Sequence, residues 1–366
     1  MESTEKISGN QLCLLVFSFI APTLILVVPS LMEKISRQDA WMTIFPAYLI
    51  GALQVWIMIV LSKRYPGLSI IQYSSRILGK FFGKLVGFYL LYYWVNFDFI
   101  ILNQHIQFIN SIFLMRTPSI VVSLTLAILC GIAVYMGIES IARCNEYLSY
   151  LIFVLLIPLL LLMIAVSDPQ LLRPVLSKGI RPVLQGSIFP IAYLGQFMVL
   201  GWFLPYLNQP KKAAKASFIS LSIISGLFCI TVLPLIMIFG PLTRKLAFPV
   251  LSVIQYIGIK GSFERLEAVA VAIWVMGCFI KVSLTFFIIC LTIAHLFEIK
   301  SYRTFLVPIV ILSVIGSVFV FDNYSTDLNS YLRDTYPSFA FSTHLLIPLS
   351  LLLVDTIKKR WTKSAP

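Results

Sequence analysis

The sequence predicts an all-α integral membrane protein of ten transmembrane helices. Composition, apolar run length and the placement of charge carry that reading. Of 366 residues, 59% are hydrophobic and 12% charged, whereas a soluble domain is about half apolar and roughly a quarter charged. A membrane span needs about 20 mostly apolar residues. Ten such runs occur, at roughly 11–32, 40–62, 83–114, 119–138, 146–166, 187–207, 216–240, 266–297, 304–321 and 339–357. Basic residues gather in the links: Lys63, Arg64, Arg76, Lys80 and Lys84 in one, Lys211, Lys212 and Lys215 in another, Lys358, Lys359 and Arg360 in the tail. By the positive-inside rule both termini are expected on the cytoplasmic side.

The same features exclude several classes. The net charge of +13 belongs to helix ends and anionic lipid, because no basic segment is long enough to follow a nucleic-acid backbone. Cys13, Cys130, Cys144, Cys229, Cys278 and Cys290 form no CxxC pair and read as small hydrophobes, not metal ligands. Met1 to Gln11 lacks the basic region of a cleaved signal, so span 1 is expected to be retained. No Walker loop, HExxH or GxSxG occurs. No enzyme activity, cofactor or metal is expected.

Ten spans divide into five and five. Halves with an odd number of spans insert with opposite topology, as in inverted-repeat transporters of the leucine-transporter type. The 366 residues then form one transmembrane domain with repeats at approximately 11–166 and 187–357. In that arrangement the first helix of each half is broken at mid-membrane. Span 1 carries Ala21-Pro22-Thr23 and Pro29; span 6 carries Pro190, Gly195, Gly201 and Pro205. A proline removes a backbone donor and frees a carbonyl, which in lipid needs protein, water or ligand as its partner. Breaks are therefore expected near Pro22 and Gly195.

Inside the spans, Lys281 lies near the centre of span 8, too far from either end to snorkel easily. A charge there costs at least about 2.5–3.5 kcal/mol and should face the interior with a partner. Span 3 is unusually polar. Asn96, Asn103, Gln107 and Asn110 share one helical face; Asp98 and His105 share another. Such a stripe serves either interhelical hydrogen bonding or a ligand path. Glu139 with Arg143, and Glu264 with Arg265, are expected to fix loop geometry or a subunit contact.

Short stretches recur in an ordered series. Asp39-Ala40-Trp41 opens span 2 and Arg64-Tyr65-Pro66-Gly67 closes it. Leu78-Gly79-Lys80 and Gly83-Lys84 lead into span 3. Arg116-Thr117-Pro118 opens span 4, and Gly137-Ile138-Glu139-Ser140-Ile141-Ala142-Arg143 precedes span 5. Arg173-Pro174-Val175-Leu176, Gly179-Ile180-Arg181-Pro182 and Gly186-Ser187 fill the fifth link. Phe263-Glu264-Arg265-Leu266-Glu267, Ile273-Trp274-Val275 and Phe279-Ile280-Lys281 mark span 8. In order and spacing, from about residue 10 to 360, this series resembles the B subunit of spore nutrient-germinant receptors.

The resemblance implies the ten-helix fold of the amino acid–polyamine–organocation superfamily. It implies sensing of small nutrients, often amino acids, at the inner membrane of a bacterial spore. A membrane-embedded A subunit and a lipoprotein C subunit are the implied partners. In that superfamily span 8 packs on span 1 beside a sodium position, so the Lys281 ammonium is expected to replace a bound cation. The chain departs from the family twice. Pro22 and Leu24 stand where small residues are frequent, and Gly195-Gln196 stands where Gly-Glu is common.

A zwitterionic amino acid would suit half-helix N-termini with its carboxylate and unwound carbonyls with its ammonium. The expected ligand-binding residues are Ala21, Pro22, Thr23, Leu24, Asn96, Tyr193, Leu194, Gly195 and Gln196. Phe19, Phe97 and Leu24 are expected to line an apolar side-chain pocket. The function expected is a nutrient-sensing receptor subunit; an amino acid permease with the same fold is the alternative.

Overall fold

In hydrocarbon every backbone N–H and C=O must be satisfied within the segment, which an α-helix achieves. The computed structural model describes residues 5–260, 266–321 and 327–364 and is almost wholly helical. Phe263, Glu264 and Arg265 lie outside the described residues. Helices α1 (Gly9–Ser36) and α2 (Ile44–Arg64) are joined by a 3-10 turn over Arg37–Thr43. A short α3 (Ile70–Leu78) turns at Gly79 into α4 (Lys80–Ile112). Then come α5 (Ser119–Met136) and α6 (Ile138–Ala165).

Span 6 is segmented: α7 (Arg181–Gly186), α8 (Ile188–Leu194), a 3-10 turn at Gly195–Val199, and α9 (Leu200–Phe203). The chain continues through α10 (Ala213–Phe239), the short apolar α11 (Pro249–Lys260), α12 (Leu266–Leu296) and α13 (Leu306–Phe319). Helices α14 (Tyr336–Phe341) and α15 (Ile347–Ser364) make the last span, with one-turn π segments at Tyr331–Thr335 and Ser342–Leu346.

Among the described residues, nine helical stretches are long and apolar enough to cross a membrane. The first runs 56 residues, Gly9–Arg64, and contains both α1 and α2. The Thr43 hydroxyl donates to Met32 Sδ at 3.2 Å, eleven positions apart; a straight helix would separate them by about 16 Å. The chain therefore turns sharply here, and the nine stretches hold ten membrane-length segments. Glu5 and Arg76, at the α3–α4 corner, line one cleft, and Lys358 donates to the Ile77 carbonyl in that corner. Both ends of the chain thus lie on one face, as an even number of crossings requires.

Helix contacts use small and polar side chains, as expected where lipid supplies no hydrophobic drive between helices. Ser220 of α10 donates to the Cys13 carbonyl of α1 at 2.9 Å, and Ser18 of α1 meets Ser149 of α6 at 3.2 Å. On the other side of α12, Ser123 of α5 meets Ser317 of α13 at 2.8 Å. Asn103 of α4 donates to the Ser317 carbonyl at 2.9 Å. Large apolar side chains such as Leu49, Phe81, Tyr147 and Phe319 point outward, giving the surface its apolar belt.

Candidate functional site

Lys281 lies fifteen residues from each end of α12. At a rise of about 1.5 Å per residue, either surface is about 22 Å away along the helix. Its side chain is 1% exposed. The ammonium turns inward and donates to the Phe19 carbonyl at 2.5 Å, Thr23 Oγ1 at 2.8 Å and Gln196 Oε1 at 3.1 Å. These acceptors match its three N–H donors. The Phe19 and Phe97 rings lie 4.6 and 5.1 Å from Nζ, adding cation–π attraction.

The expected break at Pro22 is absent: α1 is helical from Gly9 to Ser36 with Pro22 and Pro29 inside it. Two contacts with α12 account for the correction. Lys281 supplies donors to α1 at Phe19 and Thr23, one turn before and just after Pro22. The Pro22 ring lies on Gly277, where a Cβ would stand 2.6 Å from Pro22 Cγ. The turn that proline weakens is thus held from one side by packing and by charge.

The break expected in span 6 is present as the 3-10 turn at Gly195–Val199. A Cβ on Gly195 would stand 2.9 Å from His344 Cβ, so only glycine admits the imidazole at this distance. The next residue, Gln196, accepts from Lys281 and donates through Nε2 to the Tyr336 hydroxyl at 2.9 Å. His344 Nδ1 faces the Ala192 carbonyl at 3.1 Å, and Nε2 faces the Tyr93 hydroxyl at 2.8 Å. A carbonyl can only accept, so Nδ1 carries the hydrogen and neutral Nε2 accepts from Tyr93. These contacts join α1, α12, span 6 and the last span, and tie α4 to the last span. Trp94 and Trp202 close the floor edge to face at 5.5 Å, and Trp202 Nε1 donates to Thr292 at 2.9 Å.

Of the residues expected from sequence, Thr23, Gln196 and Lys281 meet at one point, with Phe19 and Phe97 beside them. Tyr193 packs on Tyr336 at 5.3 Å between ring centres. Ala21 and Pro22 instead line a separate apolar cavity of about 90 Å³ with Phe17, Ile25, Phe108 and Trp274. Leu24 is buried in the core, and Leu194 packs beside Gly51 of α2. Asn96 is half-exposed and returns its amide to the Tyr92 carbonyl at 2.8 Å. Asp98 and His105 are buried but give no hydrogen bond to the cluster. Asn103 bonds α13, so at that position the polar stripe joins helices. Arg143 and Glu139 form the i, i+4 pair at 2.6 Å. No group of three or more His, Cys, Asp or Glu suited to a metal occurs among the described residues.

Sequence reasoning missed Tyr93, Tyr336 and His344. His344 had a signal, being one of three histidines and inside an apolar run. Tyr336 lies before the marked start of span 10, with Pro337 suggesting a boundary. Tyr93 is one of sixteen tyrosines, and nothing local sets it apart.

Solved transporters share this architecture. Mhp1, a nucleobase-cation-symport-1 family transporter, superposes with a TM-score of 0.70 over 96% of this chain and 78% of its own, at 12% identity. A Na+-coupled sialic acid symporter gives 0.67 over 94% and 80%, at 13% identity. MhsT, solved with L-phenylalanine, gives 0.64 over 97% and 99%, at 13% identity. The fold is therefore that of the leucine-transporter type.

Among curated relatives, spore germination protein KB of Bacillus subtilis (strain 168) is 28% identical over 97% of this chain and 96% of its own length. Spore germination protein YndE of the same organism is 24% identical over 98% and 99%. The spore germination protein family model matches residues 6–325; the chain belongs to that family of multi-pass, permease-like membrane proteins.

Proposed function

We propose that this chain is the nutrient-binding subunit of a spore germinant receptor. It binds a small nutrient, an amino acid first, at mid-membrane. It then passes a conformational change to an A subunit and a lipoprotein C subunit at the spore inner membrane, with both its termini cytoplasmic. The observation that carries the reading is the single Lys281 ammonium shared by α1, α12 and the interrupted span 6. The repeats, approximately 11–166 and 187–357, each supply part of this junction.

Two structural neighbours are named as cation-coupled carriers, and a third was solved with an amino acid. In this chain the Lys281 ammonium occupies the carbonyl and hydroxyl that would suit a metal cation. The site then holds its positive charge covalently and needs no cation from solution. A ligand carboxylate engages Lys281 by displacing one neutral acceptor, and the ligand ammonium takes the carbonyl or amide oxygen so released. Tyr193, Phe19 and Phe97 meet the side chain. Because the exchange loosens the link between α1 and span 6, the ligand binds the two arrangements unequally, which a sensor requires. No catalytic role is proposed.

The transporter fold favours a second reading, an amino acid permease using the same site. Binding and uptake of a labelled amino acid panel, in sodium and in choline buffers, separate the two. The receptor reading expects binding in both salts, loss with Lys281→Met, and no accumulation in proteoliposomes. Accumulation by the chain alone would establish the permease, and wild-type protein that binds no amino acid would end the amino acid reading.

A further inference from the structure

On the face that carries both chain ends, a cleft of about 690 Å³ opens between the α3–α4 corner and the link from α12 to α13. Its walls carry Arg76, Lys80, Lys84, Lys300 and Arg303 against Glu5 and Glu298. Arg303 is paired with Glu5 at 2.8 Å. Arg76, Lys80, Lys84 and Lys300 make no salt bridge among the described residues, and Glu298 is the acidic group left facing them. Orientation alone requires basic residues on a face, not their convergence on one cavity.

The convergence is built by the backbone. A Cβ at Gly83 would stand 2.3 Å from Ser75 Cα, so glycine lets α3 lie directly on α4. That contact brings Arg76 beside Lys80 and Lys84. Below them, His295 meets Ser69 at 2.7 Å and forms a polar floor. Beside them the surface is apolar and exposed: Phe81, Phe82, Leu85 and Phe88 follow on α4, with Phe297 against Phe88 at 5.9 Å.

We infer that this cleft binds the phosphodiester headgroup of an anionic phospholipid, its acyl chains lying along the exposed aromatic face of α4. Basic pockets between helices at a membrane surface hold such headgroups. The cations supply the charge, the cavity volume suits a headgroup, and the aromatic rim favours a lipid over a free anion or an acidic peptide. A bound headgroup would tie the α3–α4 corner to the α12–α13 link.

The test titrates the delipidated full chain in zwitterionic detergent with phosphatidylglycerol, phosphatidylcholine, inorganic phosphate and an acidic peptide, reading bound lipid by native mass spectrometry. Saturable phosphatidylglycerol binding is expected, with phosphatidylcholine inert. The double variant K80Q/K84Q should weaken binding by about tenfold or more. Lys300→Gln, on the opposite wall, should also weaken it, which keeps the test decisive where the double variant misfolds. Lys211→Gln, on the same face outside the cleft, should leave it unchanged. Equal loss with Lys211→Gln would reduce the effect to diffuse surface charge and overturn the inference. Phosphate or peptide binding as tightly as phosphatidylglycerol would overturn it as well.

Discussion

The Lys281 ammonium stands 2.5 Å from the Phe19 carbonyl oxygen, a contact between residues 262 positions apart. It explains how α1 stays wound past Pro22. Lys281→Met would remove the charged donor from the Phe19 carbonyl, the Thr23 hydroxyl and the Gln196 amide oxygen, hydrogen bonds worth about 1.5–3 kcal/mol each. It would also relieve the ammonium's burial, which itself costs several kcal/mol. The two effects oppose, so the variant is expected to fold with a thermal midpoint within a few degrees of wild type. Nutrient binding should fall by about tenfold or more. Normal binding together with normal assembly would remove Lys281 from the site.

Gln196 both accepts from Lys281 and donates to Tyr336. In Gln196→Glu a carboxylate can accept from both, because the Tyr336 hydroxyl can reverse its role. That variant should keep or raise the unfolding temperature. Gln196→Leu takes one of the three acceptors from Lys281 and the amide donor from Tyr336, and should lose about 1–3 kcal/mol. Differential scanning of the two in one detergent checks the order, and a Glu variant less stable than the Leu variant would refute it.

The break at Gly195 is held open for His344. Gly195→Ala places a methyl 2.9 Å from His344 Cβ and 3.0 Å from Nδ1. The imidazole must shift, yet it is fixed at both nitrogens by Ala192 and Tyr93. Overpacking of this kind costs about 1–3 kcal/mol. His344→Gly, which removes the Cβ as well as the ring, should restore part of that loss in the double variant. Unfolding of the two single variants and the double variant measures the coupling.

The spans were legible because their cause is local: a run of apolar residues suffices. The break at Gly195 was legible for the same reason, through glycine and proline within one run. Pro22 was misleading because proline marks a weakened turn and is silent about what braces it, here Lys281 on a distant helix, bonded to Phe19 and Thr23 on either side of it. Thr23 and Gln196 could be placed from their neighbours, but Tyr93 and His344 acquire their roles only through each other, 251 positions apart. Asn96 and Phe97 differ by one position and so by about 100° around α4. That rotation leaves Asn96 half-exposed and aims Phe97 at Lys281, and no local signal fixes it.

Where α2 ends, Asp355 accepts from Tyr65 at 2.5 Å and from Arg64 at 2.6 Å, docking α15. Burial and then the Asp355 carboxylate push the Tyr65 phenol from 10.0 up to about 12. A folded pKa raised above the unfolded one gives stability that is fully present below pH 10 and lost as pH rises toward 12. The stability difference between wild type and Tyr65→Phe should therefore be constant below about pH 10 and shrink above it. Release of α15 by limited proteolysis across that window reads it, and a difference that grows with pH would contradict the docking role.

Gly83 and Gly87 both face close neighbours, but of different kinds. At Gly83 a Cβ would meet Ser75 Cα at 2.3 Å and Ser75 N at 2.6 Å, which are backbone atoms of α3. At Gly87 it would meet Leu296 Cδ2 at 2.4 Å, the far end of a side chain. A leucine can change rotamer at a cost of about 0.5–1.5 kcal/mol, whereas a helix backbone must move as a body. Gly83→Ala should therefore destabilise by about 1–3 kcal/mol, and Gly87→Ala by less. Because α3 carries Arg76 and α4 carries Lys80 and Lys84, Gly83→Ala should also spread the basic cleft and weaken anionic lipid binding. Gly87→Ala moves only the Leu296 side chain on the cleft's apolar wall and leaves the basic residues in place, so it should weaken lipid binding less than Gly83→Ala. Paired unfolding and lipid-binding measurements decide it: equal costs would mean that α3 yields as easily as a leucine side chain, and the corner would then not be the rigid wall on which the cleft depends.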